Sequence, residues 1–372
     1  MKIKTVVPQI PRFKHISKKM KMCFDNQYLT NDGNNLLRFE KMLQKYFNSK
    51  LKPVVFCNGE LSLYSLIQSW KYYLNIKDCK AIVPSFTFSG TVNALVQNNI
   101  KPVFCDVNET LTLDLKKLKI DKNIKFIVGV SVYGNIPEIE KIRKFAKKHK
   151  LVFILDNAPG FCSQIKGKFP SNFGVNEIYS FHATKIFNSI EGGCAITTNK
   201  NIRKLLLAVR NFGQVKKGTN DVLIPGLNSK MNELNAIVGT QNLKNIKSLV
   251  SSRKKVISKY IKFFDKHKSN LTTMKVNKNT FCSYFFFPII LKKGTVPKFL
   301  SYMESKKIYC RRYYTSIHTT TFYRKRIKKK DIKAIPFTEY IKNKIVALPL
   351  HTDMKDNQIN HLFSSIDNFF KK

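Results

Sequence analysis

The chain is short of acidic residues: 23 Asp and Glu stand against 67 Lys and Arg in 372 residues, a formal net charge of +44. An imbalance of that size ordinarily points to nucleic acid or another anionic surface. The arrangement argues against it, because the lysines lie between the apolar positions of helix-like stretches and only 325–333 forms a dense basic cluster. Neither an aromatic and basic RNA-binding motif nor zinc-finger spacing accompanies that cluster. Most of the excess reads as lysine displayed on solvated faces, where it favours anionic substrates. No CxxC pair occurs among the eight cysteines at 23, 57, 79, 105, 162, 194, 282 and 310. Several sit in apolar runs such as Pro102-Val103-Phe104-Cys105, as small buried hydrophobes of a reducing compartment do, and no metal site is expected. No apolar run approaches the ~20 residues of a membrane span. Pro8 and Pro11 interrupt the basic N-terminus before a signal-like apolar segment can form, so a cytoplasmic protein is expected. Internal repeats and low-complexity linkers are absent as well.

What is present belongs to an ordinary folded protein: 43% hydrophobic residues, with 29 Phe among them. The length predicts two domains, or one large α/β domain with an appendage. After an irregular N-terminal arm, Leu36, Leu37, Phe39, Met42, Leu43, Tyr46 and Phe47 recur at helical spacing. Pro53-Val54-Val55-Phe56 then reads as a strand, Cys57-Asn58-Gly59 as a turn, and Leu63, Leu66, Ile67 and Trp70 as a second helix. The alternation continues through strands at 81–83, 102–107, 126–133 and 151–155, with a helix begun by Pro137 before the last. Short apolar strands without alternation, separated by helices, predict a mainly parallel sheet covered on both faces. Chemistry in such sheets gathers at the carboxyl ends of the strands. Strand-like runs at 178–181 and 194–197 follow, then a helix through Ile202, Leu205, Leu206 and Val209. Beyond 240–250 a lysine-studded helix from Leu249 and isolated strands at 284–291 and 345–348 predict a smaller α+β domain. The expected division is an arm (1–30), a large domain (31–245) and a small C-terminal domain (246–372).

Three features of the large domain carry chemistry. Asp156 ends the apolar run 151–155, where a carboxylate is costly unless paired. It is either a structural cap or ion-pair partner, or it faces a cationic ring nitrogen. Asn58-Gly59-Glu60, at a strand-to-helix junction, presents free backbone N–H groups and the positive end of a helix, a cradle for phosphate. The hydroxyl of Ser180 can join it. The third is Lys185, in the segment Ser180-Phe181-His182-Ala183-Thr184-Lys185-Ile186-Phe187-Asn188-Ser189-Ile190-Glu191-Gly192-Gly193. A lysine on such a loop, partly desolvated, can present a free amine as nucleophile. Phosphate cradle, strand-end aspartate and then lysine is the order needed to hold pyridoxal 5′-phosphate.

The chain resembles the fold-type I sugar aminotransferases of the DegT or DnrJ family along almost its whole length. The resemblance rests on Leu29-Thr30-Asn31-Asp32-Gly33, Asn58-Gly59, Val83-Pro84-Ser85-Phe86-Thr87-Phe88, Lys101-Pro102-Val103-Phe104-Cys105-Asp106-Val107, Tyr133-Gly134, Asp156-Asn157-Ala158 and the lysine segment. It continues in Arg210-Asn211-Phe212-Gly213, Gly226-Leu227-Asn228-Ser229-Lys230-Met231-Asn232-Glu233, Arg312-Tyr313-Tyr314 and Leu348-Pro349-Leu350-His351. The Phe-His-Ala-Thr-Lys variant is especially similar to the branch that aminates dTDP-4-keto-6-deoxy or 3-keto-6-deoxy sugars. The resemblance implies that Lys185 is the Schiff-base lysine and Asp156 the partner of the pyridine nitrogen, with Phe88 stacked on the ring. It implies a phosphate held by Gly59, Glu60, Ser180 and Asn228 of a second subunit, hence a homodimer. Lys230, Arg312, Tyr314 and His318 are candidate substrate contacts.

The implied reaction passes the amino group of L-glutamate to a keto sugar linked to a nucleotide diphosphate. Two positions depart from the family pattern: Glu60 stands where threonine is usual, and Pro159 where Gln or His is frequent. A related sugar deoxygenase is the second reading, disfavoured because that branch replaces the lysine by histidine. A basic nucleic-acid-binding protein on this scaffold is the third.

Overall fold

The computed structural model describes residues 2–116, 118, 120–216, 218–327 and 329–371. The chain opens with α1 (Ser17–Asp25), α2 (Asn34–Phe47), β1 (Val54–Phe56), α3 (Gly59–Tyr73), β2 (Cys79–Pro84), α4 (Ser89–Gln97), β3 (Ile100–Cys105) and β4 (Ile124–Val130). It continues through α5 (Ile139–Lys148), β5 (Val152–Asp156), β6 (Gln164–Ile165), β7 (Asn176–Ser180), β8 (Gly193–Ile196), α6 (Lys200–Arg210) and α7 (Glu233–Lys244). The C-terminal part comprises α8 (Ile246–Phe264), β9 (Leu271–Thr273), β10 (Thr280–Phe281), β11 (Phe287–Leu291), α9 (Val296–Ser305), α10 (Thr321–Arg324), α11 (Lys329–Lys333), α12 (Pro336–Ile341), β12 (Ile345–Leu348) and α13 (Asp356–Lys371). The basic cluster at 325–333 lies partly outside the described residues.

Seven strands form the main sheet in the order β1-β8-β7-β5-β4-β2-β3. The pairs from β3 to β7 are parallel, whereas β8 runs antiparallel to both β7 and β1. This is the mainly parallel, helix-covered α/β sheet that the apolar, non-alternating strands predict. Its central strands are buried on both faces, with Ile82, Ile127, Ile154 and Ile178 at most 1% exposed. A smaller antiparallel sheet, β12-β11-β9, carries α8, α9 and α13.

The site is anchored by an aromatic core beneath the lysine loop. Phe187 stacks on Phe161 at 4.2 Å, Phe181 meets both edge-on, and Phe47 stacks on Tyr179 at 4.5 Å. Ring pairs in these geometries add about 0.5–1.5 kcal/mol each beyond area burial, so the backbone from β7 into the loop is firmly held.

Two expectations change. The arm is not irregular, because α1 packs Cys23 with Ile16 onto Ile237 and Val238 of α7. Its one-sided apolar contact is too short to show as periodicity. The strand expected from Tyr284 begins only at Phe287, since Tyr284 takes a φ of 48° and Phe285 N–H bonds to Tyr133 O at 2.8 Å.

Candidate active site

Strand register places the first elements of the site. Phe56 at the end of β1 pairs with Gly193, which also pairs with Ser180 at the end of β7. The chain leaving β1 therefore enters α3 directly beside Ser180. Contact is so close that a Cβ on Gly59 would stand 2.7 Å from Ser180 Cβ, and one on Gly193 would stand 2.6 Å from Gly59 Cα. Only glycine fits at either position. The side chain of Asn58 caps α3 by accepting from Leu61 N–H at 2.8 Å. The N–H groups of Gly59 and Glu60 precede any intrahelical acceptor, so they remain at the positive end of the helix. Ser180 is 8% exposed, and its hydroxyl completes an anion cradle.

Asp156 ends β5, one strand from Ser180, and is 6% exposed. Thr91 Oγ1 on α4 donates to its Oδ2 at 2.6 Å, and Ala158 N–H donates to Oδ1 at 3.1 Å. Thr87 and Thr91 hydroxyls lie 2.9 Å apart. Burial raises the pKa of Asp156, opposed first by Thr91, then by Ala158 and the charge of Lys185.

The lysine loop is closed at its base by Phe181 N–H to Gly192 O at 2.7 Å and Ser189 N–H to Phe181 O at 2.9 Å. A tight turn, Lys185 N–H to His182 O at 2.8 Å, sets the direction of the side chain. Desolvation lowers the Lys185 pKa to about 8, with Asp156 opposing the shift. Its Nζ stands 4.5 Å from the centre of the Phe285 ring.

Aromatic side chains wall the site. Tyr314 lies 6.5 Å from Phe88, 5.6 Å from Tyr133 and 4.0 Å from Tyr313, and Tyr313 lies 6.3 Å from Phe88. Phe88 is 53% exposed, with a ring face free to stack on a planar ligand. The Tyr133 hydroxyl is buried without a hydrogen-bond partner among the described residues.

Gly59, Ser180, Asp156, Lys185, Phe88 and Tyr314 thus converge. The other candidates are held elsewhere. Asn228 is exposed, on a bridge to Asn211, and Lys230 Nζ donates to Asn211 Oδ1 at 2.9 Å while lying over the Phe212 ring. Arg312 is exposed and donates to Lys342 O at 2.9 Å and to the Asn343 side chain. His318 is buried with Nδ1 2.7 Å from Ser85 Oγ and Nε2 2.6 Å from Glu339 Oε1. Both ring nitrogens have protein partners, so the imidazole ties Ser85 to α12.

Residues 13–367 match the model of the DegT/DnrJ/EryC1/StrS aminotransferase family. The chain belongs to this family. The aminotransferase is 24% identical over 369 residues to the dTDP-4-amino-4,6-dideoxy-D-glucose transaminase of Shigella dysenteriae, which covers 96% of either chain. It is 26% identical over 362 residues to the GDP-perosamine synthase of Vibrio cholerae, with 94% of each covered. Among solved structures it shares its fold with Helicobacter pylori PseC, an aminotransferase involved in the biosynthesis of pseudoaminic acid (TM-score 0.88, 22% identity, 100% of both chains covered).

Further residues line this region to which the sequence reading gave no site role. Thr91 and Phe285 were not singled out at all, and Tyr133 and Tyr313 only as parts of the family motifs. A signal existed for Thr91: it stands four residues after Thr87, a polar position repeated on the buried face of an apolar helix. The Glu60 carboxylate is turned away from the cradle, since a Cβ on Gly90 would lie 3.3 Å from Glu60 Oε2. It therefore stands at the N-terminal turn of α4, where a negative charge is favourable. Pro159 is buried, three residues after Asp156. The donor set of the aminotransferase, with two free amides, a hydroxyl, a buried carboxylate, a neutralisable amine and a flat aromatic face, fits a phosphorylated pyridine aldehyde.

Proposed function

We propose that the enzyme moves the amino group of L-glutamate to the keto carbon, C4 or C3, of a nucleotide-linked 6-deoxy sugar, giving 2-oxoglutarate and an amino sugar. Pyridoxal 5′-phosphate is the proposed cofactor. The observation that carries this reading is the pairing of buried Asp156 at the end of β5 with half-buried Lys185 on the loop after β7, beside the Gly59–Ser180 cradle. When bound, the cofactor supplies an electron sink for the carbon that carries the amino group.

The chain's own groups then have defined tasks. The amides of Gly59 and Glu60 and the hydroxyl of Ser180 hold the phosphate. Asp156 keeps a proton on the ring nitrogen, and Thr91 holds its carboxylate in place. Lys185 Nζ, brought towards neutrality by burial, takes a proton from the donor's Cα and delivers one to the sugar carbon that receives the amine. Phe88, Tyr313 and Tyr314 exclude water from that path. The net charge of +44 steers a diphosphate-bearing substrate.

The active form is proposed to be a homodimer in which Asn228 reaches the neighbouring cradle. Support comes from the apolar side chains left open on the monomer: Ile10 is 77%, Phe13 71% and Phe212 51% exposed. Relatives named for dTDP and GDP sugars support a nucleotide-linked substrate without choosing the base.

The test is a panel of nucleotide-linked 3-keto and 4-keto sugars offered with L-glutamate, with mass detection of the amino product. A visible absorbance band on adding pyridoxal phosphate, lost on borohydride reduction and absent in Lys185→Ala, checks the cofactor. Full turnover by Lys185→Ala would sink the reading. DNA binding with a steep salt dependence and no cofactor uptake would favour the nucleic-acid alternative instead.

A further inference from the structure

Ser85 follows the last residue of β2, three positions before Phe88, and the C-terminal part of the chain holds it at three points. Ile317 N–H donates to Ser85 O at 2.9 Å, His318 N–H donates to Ser85 Oγ at 3.2 Å, and His318 Nδ1 lies 2.7 Å from the same oxygen. On its other side the imidazole meets α12, with Nε2 2.6 Å from Glu339 Oε1, and Lys342 Nζ donates to both oxygens of that carboxylate at 2.8 and 2.7 Å. The helix is itself fastened to the neighbouring strand end. Asp106, just after β3, accepts from the N–H groups of Phe337 and Thr338 at 2.9 and 2.7 Å and from the Thr338 hydroxyl at 2.7 Å.

The hydrogens in this network follow from its chemistry. Against the effect of burial, Lys342 and His318 hold the Glu339 carboxyl below its ordinary value, so Glu339 is ionised and only accepts. His318 Nε2 therefore carries the ring hydrogen. Burial lowers the His318 pKa, opposed by Glu339 and helped by Lys342, and in the neutral ring Nδ1 accepts from the Ser85 hydroxyl. Serine, histidine and carboxylate stand in the order of a hydrolytic triad. Ser85 is 0% exposed, however, so no substrate reaches its oxygen.

The turn that Ser85 begins carries the aromatic wall of the site. Phe86 packs edge-on against Tyr314 at 5.8 Å, Thr87 Oγ1 lies 2.9 Å from Thr91 Oγ1, and Phe88 lies 6.3 Å from Tyr313. Residues 313–318 thus run alongside 85–88, with His318 at one end and Phe88 at the other. Phe88 is half-exposed and opens α4, so the backbone of this turn sets where its free ring face points.

We propose that His318 is the positioning residue of the aromatic wall, holding Ser85 so that Phe88 presents its ring face to bound pyridoxal phosphate. The inference rests on the cofactor reading above. Protonation of His318 undoes the arrangement, because Nδ1 becomes a donor and the Ser85 hydroxyl hydrogen is left in the core without an acceptor. The groups facing the ring are Ser85, Glu339 and Lys342, of which the last two bring charge. With the folded pKa below the ordinary 6.5, the clamp is intact at neutral pH and is lost as pH falls through the lowered value.

The experiment uses the full chain with pyridoxal phosphate and reads cofactor affinity, the visible circular dichroism of the bound ring, and Tm. His318→Gln removes the acceptor facing Ser85, His318→Asn keeps an acceptor near the Nδ1 position, and Ser85→Ala removes the donor. For His318→Gln and Ser85→Ala the dissociation constant rises roughly fivefold, as for loss of one hydrogen bond, and the visible dichroism falls at least about twofold. His318→Asn stays within about twofold of the unaltered protein in both readouts. Added to Phe88→Ala, His318→Gln causes no further loss, because both changes act through one ring. Below pH 6.5 the unaltered protein loses affinity relative to His318→Asn, and Glu339→Gln moves that limb to lower pH, since the carboxylate raises the His318 pKa. Glu339→Gln leaves Nε2 an acceptor and carries the test if the other variants do not fold. Losses that add to those of Phe88→Ala, an acid limb shared by His318→Asn, or a lowered Tm with unchanged affinity and dichroism overturn the assignment. Unaltered protein that takes up cofactor with this pattern but yields no amino sugar tells against the proposed reaction and leaves the positioning role standing. Unaltered protein that takes up no cofactor overturns both.

Discussion

Gly59 and Ser180 are packed so closely that a single added Cβ would stand 2.7 Å from Ser180 Cβ and 3.0 Å from its Cα. They come from opposite sides of the β1-β8-β7 edge, 121 positions apart, and the one antiparallel strand brings them together. The proposed phosphate cradle depends on that approach, because the Gly59 amide and the Ser180 hydroxyl would have to face one anion.

Gly59→Ala is expected to push α3 away from β7, costing about 1–3 kcal/mol of stability, as overpacking does, and weakening cofactor binding by at least about tenfold. Thermal unfolding and a spectrophotometric titration with pyridoxal phosphate measure the two effects. Adding Ser180→Gly removes the clashing Cβ and restores stability while leaving cofactor affinity low. Equal recovery of both quantities would contradict the dual role of Ser180.

The Lys185 pKa, lowered to about 8 by burial, sets a pH limb. The reactive amine form grows as pH rises through about 8, so turnover rises on the alkaline side and levels above it. The stability effect has the same sign. Between about 8 and the unfolded value of 10.5 the unfolded chain holds more protons than the native one, so Lys185 adds stability with rising pH. Lys185→Met is expected to remove this slope in urea unfolding series at pH 7 to 10, and to abolish turnover.

Asp156→Asn is expected to retain the fold and to lower turnover by roughly 10²–10³, the loss typical of a preorganised electrostatic partner. Thr91→Val tests the support. Thr91 lowers the Asp156 pKa, so its removal moves the acid limb of the pH–rate profile upward, with a smaller loss at the optimum. A profile that stays in place would show that Thr91 does not act through Asp156.

Glu60 separates local stability from cofactor affinity. Its carboxylate sits at the start of α4, so Glu60→Thr costs about 0.3–1 kcal/mol of stability by removing a favourable helix-end charge. The same change removes a negative charge from the neighbourhood of the phosphate and adds a hydroxyl, so pyridoxal phosphate is expected to bind roughly threefold to tenfold tighter. Fluorescence-monitored titration and thermal unfolding should move in opposite directions. Weaker cofactor binding by this variant would mean that Glu60 supports the cradle.

Much of the site was legible in the residues. Apolar runs ending in Asp156 and Ser180 marked strand ends, Asn58-Gly59 marked a strand-to-helix turn, and a Gly-closed loop marked Lys185. Each of these is a local signal: a few consecutive positions report burial, turn geometry or loop closure. Contacts between distant segments left no such mark. His318 read as a candidate ligand until Ser85 and Glu339 took both its ring nitrogens.

The sequence by itself therefore determined the sheet's strands, the helices that cover it and the residue types at its carboxyl ends. Hydrophobic period and chain-breaking turns act within a single element. The tertiary structure decided which ends meet: β8 running antiparallel to seat Gly59 on Ser180, α4 presenting Thr91 to Asp156, and Glu60 turned to α4. It also decided that Arg253, one residue of a lysine-rich helix, is buried against the carbonyls of Ser283, Tyr284 and Phe285. Those outcomes depend on strand register and on packing between segments up to 121 residues apart, as Gly59 and Ser180 are, and no local pattern encodes them.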